Sequence, residues 1–523
     1  MSDRSDGKRR AGGRAARIAL RAAAPEPAAK PVRPGHLGGQ YRPIAEDDMA
    51  RIHRAAVGIL ETTGLADPIP SCTELVTAAG GWHNDAGRLC FPPALVEDTL
   101  AKASRGWVLH GHDPAHDLDI SDARVHFGTA GAAVEILDIE TRTYRETTLA
   151  DLYDMARLID TLEHIHWCLR PVVARDMETT LDLDVNTAYA VMTGTAKPSG
   201  LGIISAENVP AVIAMFDAAL GGEGMFRKRP FAHVNVYHVV PPLRFAEEAF
   251  RTLEAVVRAG VPILIGSAGQ AGATSPAALA GTVVQTMAEA LAGLVYANLI
   301  SPGHPVLFAG WPAVSDLRTG ALSGGGGEQA LLTAAVAQMG NFYGLPCSVA
   351  AGLTDSKVPD AQAGFEKGST ITLAGLAGAN MVHEAAGMLA SVLGTALECF
   401  VIDNDMLGNI NRAVRGIEVT DETLSVDVID ACATGPGHFL GHPQTLGLMQ
   451  SGFVYPRVSD RTPPAVWDQM GRLDIVDRAR DYVRETLRDH YPSHIGPDAD
   501  ARVRARFNIR LPREFMAPGN GRW

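Results

Sequence analysis

Several features that direct a sequence to a particular protein class are scarce here. Aromatic residues make up only 6% of the 523 positions, so the core must consist mainly of Ala, Val, Leu and Ile. The six cysteines are scattered without a CxxC pair, which argues against a disulfide framework or a structural zinc site and favours the reducing cytoplasm. The net charge of −13 argues against nucleic acid as the main partner. With 46% hydrophobic and 20% charged residues, the chain is globular.

Long uninterrupted apolar runs are also missing. Residues 259–288 and 290–315 carry no Lys, Arg, Asp or Glu, but proline and glycine interrupt both before about 20 apolar residues accumulate. They predict buried strands and helices rather than membrane spans. Residues 1–34 hold nine Lys or Arg against three acids. We interpret residues 1–40 as a disordered basic tail, and a transit peptide is the alternative.

The remaining sequence suggests three regions: an N-terminal helical cap at 41–105, a rhythmic segment at 106–460 and a C-terminal helical extension at 461–523. Strand candidates in the rhythmic segment are residues 125–128, 166–173, 198–204, 232–240, 261–267, 305–310, 346–351 and 380–384. Helical patterns are residues 149–162, 184–192, 208–220, 244–258, 276–299, 327–342 and 361–376. Alternating short apolar runs and helices predict an α/β fold, a parallel (β/α)8 barrel of the TIM type. A doubly wound open sheet is the competing interpretation, although the Rossmann glycine fingerprint is absent.

In a barrel of this type, functional residues gather in the loops that follow the carboxyl ends of the strands. The residues at these ends are Gly128-Thr129, Arg170, Tyr237-His238, the segment from Ser267 to Gln270, Trp311, residues 352–357 and His383-Glu384. Together they provide aromatic faces, amide and imidazole donors and few free carboxylates.

Three motifs have simpler explanations than a metal or phosphate site. The glycine run at 323–327 lacks the Walker lysine, so a tight loop is favoured over an anion cradle. His112 and His116 flank Pro114, which favours a polar turn over a metal pair. His438 and His442 lie among glycines without an evident third ligand. We therefore expect no tightly bound metal.

Residues 352–367 are dense in polar groups after the seventh strand candidate. Asp355, Lys357 and Asp360 are either an ion network that fixes this loop or part of an active-site rim. The residues alone leave both readings open.

Five phrases resemble one known family, the trimethylamine methyltransferase (MttB) superfamily of corrinoid-dependent methylamine and betaine methyltransferases. They are GQAGAT at 269–274, SDLRTGA at 315–321 with Glu328, TDSKVPD at 354–360 with Gln362, Gly364 and Glu366, GAN at 378–380, and GPGHFLG at 435–441. The resemblance extends over roughly residues 41–460. It implies an α/β barrel, in agreement with the strand pattern.

The resemblance also implies a reaction, the transfer of a methyl group from an amine to the Co(I) of a corrinoid (cobalamin) carried by a separate protein. Founding members demethylate trimethylamine and carry pyrrolysine after a late strand. The matching residues here, 351–354, are ordinary, which favours a quaternary amine of the glycine betaine type. A quaternary nitrogen is already an activated leaving group, so the protein needs only to hold the cation and aim one methyl.

Residues at the strand ends supply candidates for binding such a substrate. Phe127, Tyr237 and Trp311 offer aromatic faces for the cation, and His238, Gln270 or Arg318 offer donors for a carboxylate. Gly352, Asp355 and Glu384 complete the candidate set, while no catalytic residue is assigned. We expect a corrinoid protein partner, no nucleic acid or membrane partner, and a homo-oligomer.

Other functions stay open at this point. The substrate is alternatively trimethylamine or another methylated amine or sulfonium. The chain is alternatively a barrel lyase or hydrolase in which Asp355, Lys357 or Glu384 act as acid or base, or a subunit that only binds such a ligand.

Overall fold

The computed structural model describes residues 30–523, and its centre is a closed ring of eight parallel strands. The strands are β1 (Arg124–Thr129), β2 (Cys168–Leu169), β3 (Ser199–Leu201), β4 (Ala232–Tyr237), β5 (Ile263–Ser267), β6 (Val306–Gly310), β7 (Cys347–Ala350) and β8 (Met381–Ala386). Neighbours in the chain from β2 to β8 pair in parallel, and β8 pairs with β1. A parallel bridge between Gly128 and Trp167 closes the ring. The (β/α)8 barrel prediction is confirmed.

Helices surround the ring, and further helices precede it in the N-terminal region and follow it in the C-terminal region. The cap contains α1 (Glu46–Thr62), α2 (Pro70–Ala78) and α3 (Pro93–Lys102). The barrel region contains α4 (Leu149–Asp160), α5 (Thr180–Gly194), α6 (Val209–Leu220), α7 (Met225–Lys228), α8 (Glu247–Arg258), α9 (Leu279–Ile300), α10 (Gly327–Tyr343), α11 (Ala361–Ala377) and α12 (Leu397–Arg415). The C-terminal region contains α13 (Val426–Ala433), α14 (Pro443–Ser451), α15 (Pro464–Gln469), α16 (Ile475–Asp489) and α17 (Pro497–Arg504).

Local sequence explains where several of these helices begin. Thr148 and Asp151 form a reciprocal capping box at the start of α4, as Asp474 and Asp477 do for α16. Asp360 caps α11 by accepting a hydrogen bond from the Ala363 amide. Within residues 30–523, one helix, α9, is long and apolar enough to cross a membrane, but most of it is buried inside the fold.

A hairpin closes the barrel at the amino ends of its strands. Strands Gly106–Leu109 and Leu118–Ser121 pair antiparallel, and Leu109, Leu118 and Ile120 pack against the barrel interior. Access to the interior is therefore from the opposite end, where the strands end at their carboxyl termini.

The chain ends depart in part from the predicted regions. Residues 1–29 of the predicted tail at 1–40 lie outside the described residues. Residues 30–40 contribute to the fold, because His36–Leu37 pair antiparallel with β1. The Gly35 and Gly38 amides donate hydrogen bonds to the Val125 and Ala123 carbonyls and fix this segment, which composition alone could not indicate. The barrel from β1 to α12 ends at Arg415, and the following residues 416–473 expose many apolar side chains. The domain limits at 105, 460 and 461 stay predictions.

Candidate active site at the barrel mouth

Three aromatic rings and one carboxyl group meet at the carboxyl ends of β4, β6 and β8. The Trp311 ring centroid lies 5.1 Å from that of Tyr237 and 4.7 Å from that of His383. The next residue, Glu384, is 4% exposed. Burial raises the pKa of Tyr237 well above its ordinary value, and the charge of Glu384 raises it further.

Glu384 occupies a strained position that aims its side chain at the mouth. Its φ of +64° lies in the left-handed region, at a point where the register between β8 and β1 shifts. Such a conformation is costly for a residue with a Cβ and is concentrated at functional sites. The amide of Gly131, in the loop after β1, donates a 3.1 Å hydrogen bond to Oε2. Burial raises the pKa of Glu384 to about 8, against which the Gly131 hydrogen bond acts only weakly.

Two polar atoms at the mouth have no hydrogen-bond partner among the described residues. They are the Tyr237 hydroxyl and His383 Nε2, and both are buried. The other His383 nitrogen, Nδ1, lies 2.8 Å from Ser348 Oγ, and this contact fixes the ring. Because buried polar atoms are almost always paired, these two atoms are suited to meet a ligand or ordered water.

Three of the residues predicted for the site lie elsewhere. Strand alternation places Gly128 against the Trp167 ring inside the barrel, so Phe127 points outward and packs against Gly375 of α11. His238 likewise follows the inward-facing Tyr237, and its Nε2 lies 3.0 Å from the Glu289 carbonyl of α9. Arg318 is 88% exposed and holds Asp316 with two hydrogen bonds. Phe127, His238 and Arg318 therefore lie apart from the cluster of Tyr237, Trp311 and Glu384, and their contact with substrate stays a prediction.

Three further predicted residues shape the rim. Gln270 begins a short strand that pairs with Ala313–Val314 above the barrel. Gly352 has a φ of +106°, and a Cβ at this position would collide with the Glu384 carbonyl, so glycine is needed for the strained turn. Asp355 accepts hydrogen bonds from the Gly324 amide at 3.0 Å and from Ser391 Oγ at 2.6 Å, which ties three mouth loops together.

The polar loop at 352–367 is a structural network. Lys357 Nζ donates to the Asp355 carbonyl, and Asp360 caps α11 while accepting from Ser356 Oγ at 2.8 Å. Each of these groups makes at least one contact that fixes the loop. The network reading of Asp355, Lys357 and Asp360 is the one that the contacts favour.

One residue at the mouth was named as a strand end but not included in the predicted site. Arg170 follows β2, and its guanidinium lies against Gly202, in the loop after β3. Its position after a barrel strand was the only signal in the sequence. The absence of a partner for its charge is visible only in the folded chain.

The buried thiols of the barrel are not activated nucleophiles. Burial raises the pKa of the Cys168 and Cys399 thiols to about 12 and that of Cys347 to about 11, so these sulfurs stay protonated near neutrality. Among residues 30–523 no group of three or more His, Cys, Asp or Glu side chains is placed to hold a metal ion. The site is therefore equipped to bind and orient a cation, by aromatic faces and one ionisable carboxyl.

The chain is similar to known proteins over most of its length. A family model described as trimethylamine methyltransferase (MTTB) matches residues 10–513. Trimethylamine methyltransferase MttB of Desulfitobacterium hafniense is 32% identical over 463 residues, covering 88% of this chain and 92% of that protein. Glycine betaine methyltransferase of the same species is 30% identical over 478 residues, covering 90% and 97%. The solved structure of Methanosarcina barkeri monomethylamine methyltransferase (MtmB) is 12% identical, with a TM-score of 0.49 and coverage of 86% and 90%.

Proposed function

The chain belongs to the trimethylamine methyltransferase family, and from that premise we propose that it demethylates a small quaternary amine, with glycine betaine as the favoured substrate. The acceptor in this proposal is the Co(I) of a corrinoid carried by a separate protein. That the chain is an amine methyltransferase follows from the family and its named relatives, whereas the substrate and the acceptor are proposed here.

The observation that carries the proposal is the composition of the barrel mouth. Trp311 and Tyr237 present aromatic faces beside the buried carboxyl of Glu384. Aromatic faces attract a quaternary ammonium by roughly 0.5–2 kcal/mol per ring. A carboxylate nearby balances its charge. Residues 351–354, where pyrrolysine would be expected, supply no nucleophile: Gly352 supports the Glu384 turn, and Thr354 Oγ1 donates to Glu366.

The protein's part in the reaction is to bind and orient the substrate. Trp311 and Tyr237 hold the ammonium head, and the Glu384 carboxylate faces its charge. One N-methyl group points out of the barrel, where an incoming nucleophile can attack in line. The carbon–nitrogen bond breaks with its electron pair on nitrogen, and a neutral tertiary amine leaves.

The residues present fit a corrinoid that comes from outside. A reduced corrinoid would supply a strong nucleophile, which the buried thiols of the barrel do not provide because burial raises their pKa values. The chain contains no Asp-x-His-x-x-Gly corrinoid-binding signature. The homo-oligomeric state stays a prediction, which sedimentation of the purified chain measures.

The proposal predicts an absolute requirement for reduced corrinoid. Purified protein should convert glycine betaine to dimethylglycine only when cob(I)alamin is supplied, because cobalt(I) is the methyl acceptor in this proposal. Corrinoid methylation is followed by absorbance and dimethylglycine by mass spectrometry. Carnitine, proline betaine, choline, dimethylsulfoniopropionate and trimethylamine are assayed in parallel. Turnover without corrinoid would contradict the mechanism, and a faster reaction with another of these compounds would replace glycine betaine as the substrate.

Trp311 should discriminate by charge. We expect Trp311→Ala to weaken binding of glycine betaine roughly 2- to 30-fold more than binding of 3,3-dimethylbutanoate, its uncharged-head isostere, because only the cation feels the ring quadrupole. Isothermal calorimetry measures both affinities. Trp311→Phe, which keeps an aromatic face, is the matched control and should retain most of the difference. Equal losses for the two ligands in Trp311→Ala would reduce Trp311 to a packing residue.

Binding of the cation should release a proton from Glu384. The pKa of Glu384 is about 8 in the free protein, so the carboxyl is mostly protonated at pH 7 and must ionise to pair with an ammonium. The affinity for glycine betaine should therefore rise about tenfold per pH unit up to pH 8 and level off above it. Calorimetry in buffers of different ionisation enthalpy counts the released proton. An affinity that does not change with pH would show that the Glu384 carboxylate does not pair with the ammonium group of the ligand.

A further inference from the structure

Arg170 carries a charge that no described residue neutralises. It lies directly after β2, at the carboxyl end of the barrel, and its side chain is only partly exposed. Within residues 30–523, no Asp or Glu oxygen lies within 4.0 Å of its guanidinium, and no acceptor hydrogen-bonds to it. Burial lowers the pKa of Arg170, and the nearest opposing charge, Asp184, acts on it only from beyond ion-pair distance. An arginine stays charged under these conditions, so an anion is the partner that it lacks.

The surroundings hold the guanidinium in place without satisfying it. It lies against Gly202, where an added Cβ would be 2.8 Å from Nη2. Asp184 is occupied elsewhere, since it accepts hydrogen bonds from the Ile204 amide at 3.0 Å and from Asn208 Nδ2 at 2.7 Å. These bonds fix the loop that carries Gly202. The donors of Arg170 are thus left for a ligand.

Arg170 and Glu384 flank the same loop after β1. The Ala132 amide donates a 3.0 Å hydrogen bond to the Arg170 carbonyl, and the preceding amide, that of Gly131, donates to Glu384. The mouth therefore carries a cationic side chain after β2 and a carboxyl group on β8, with the loop after β1 between them. This arrangement complements a zwitterion.

We propose that Arg170 binds the carboxylate of a zwitterionic substrate whose ammonium head lies between Trp311 and Glu384. The inference rests on the proposed function and makes it narrower: the substrate class becomes quaternary ammonium carboxylates rather than simple amines. The planar fork of a guanidinium matches a carboxylate with two parallel hydrogen bonds. Because the carboxylate is fixed at Arg170, the same contact determines which methyl group faces outward. Arg170 is a specificity-determining residue of this site.

Three probes separate the two ends of the ligand: glycine betaine carries both charges, tetramethylammonium only the cation, and 3,3-dimethylbutanoate only the carboxylate. We expect Arg170→Met to weaken the binding of glycine betaine and of 3,3-dimethylbutanoate by about 30-fold or more, since it removes one partner of a desolvated charge pair. The affinity for tetramethylammonium should change less than threefold. Arg170→Lys, which keeps the charge but not the fork, should recover only part of the loss.

Arg175→Met is the matched control. Arg175 lies in the same loop after β2 and pairs with Glu146 at 3.0 Å on the surface, so all three affinities should stay within twofold. Unchanged tetramethylammonium binding also shows that the Arg170 variants are folded.

The outcomes keep this inference separate from the proposed function. If wild-type protein methylates corrinoid from tetramethylammonium but Arg170→Met weakens all three probes equally, the role of Arg170 is overturned and the methyl transfer stands. If the wild-type protein binds glycine betaine no more tightly than tetramethylammonium, the role of Arg170 is likewise overturned and the methyl transfer stands. If neither cation binds or reacts, the proposed function fails, while an Arg170-dependent affinity for 3,3-dimethylbutanoate would still establish the carboxylate site.

Discussion

Replacing Glu384 by Gln should lower kcat/KM for glycine betaine by about 10²-fold or more, chiefly through KM. The variant removes the charged partner of a buried ammonium, which is worth a few kcal/mol in a desolvated site. The positive charge is largest in the bound substrate and disperses as the carbon–nitrogen bond breaks, so the loss falls mainly on binding. The glutamine amide oxygen can still accept the Gly131 hydrogen bond, which preserves the strained turn. Steady-state kinetics with cob(I)alamin as acceptor measure both constants.

The same substitution should make the protein more stable. The folded-state pKa of Glu384 is about 8, above its ordinary value of 4.5, so between these values the native protein holds one proton more than the unfolded chain. Wild-type stability therefore falls as the pH rises through this window, whereas a glutamine side chain does not titrate. The stability gained by Glu384→Gln should grow by at most about 1.4 kcal/mol per pH unit within that window. Structural relaxation around the ionised carboxylate would make this slope smaller. Urea unfolding at pH 6, 7 and 8 measures the trend.

Glu289→Gln is the matched control for the kinetic effect. Glu289 is a buried carboxyl on α9, and burial raises its pKa, but it is held by the Leu243 amide at 2.8 Å and Gln285 Nε2 at 3.1 Å behind the sheet. We expect its kcat/KM to stay within a few-fold of wild type. Glu384→Gln with wild-type kinetics, or a similar kinetic loss in both variants, would contradict the assignment of the ammonium to Glu384.

Replacing Lys367 by Met should destabilise the fold by about 3–5 kcal/mol, because it leaves the Asp403 carboxylate uncompensated in the core. Lys367 Nζ lies 2.7 Å from Asp403 Oδ2, and the two side chains are 1% and 5% exposed. Burial alone would lower the pKa of Lys367, but the charge of Asp403 outweighs it and leaves the pKa raised. Asp403 also accepts a 2.8 Å hydrogen bond from the Gly387 amide, just after the turn that carries Glu384. Chemical denaturation measures the loss.

Two further variants make this prediction specific. Lys367→Met combined with Asp403→Asn removes the unpaired charge while keeping an acceptor for Gly387, so it should recover a large part of the stability. Arg318→Met breaks the exposed pair with Asp316, which solvent screens, so its stability should stay close to that of the wild type. A Lys367→Met protein as stable as Arg318→Met would show that the buried pair contributes little.

The alternation of strands and helices was determined by the sequence alone. Short apolar runs bounded by turn residues and followed by amphipathic or apolar helices are local signals, and each of the eight strand candidates corresponds to a barrel strand. Because barrel chemistry gathers after the strands, strand-end position alone also placed Tyr237, Trp311 and Glu384 in one set. The shared phrases indicated the family, which the family match confirmed.

Only the tertiary structure decided which way each side chain points and which charge stays unpaired. Barrel strands are buried on both faces, so an apolar run does not reveal which alternate residues face inward. Phe127 and His238 fall on the outer face for this reason, one residue from the inward Gly128 and Tyr237. Glu384 turns to the mouth through a strained φ that no pattern encodes. The open charge of Arg170 depends on Gly202 and Asp184 in other loops, because a missing partner is a property of the assembled fold and not of neighbours in the chain.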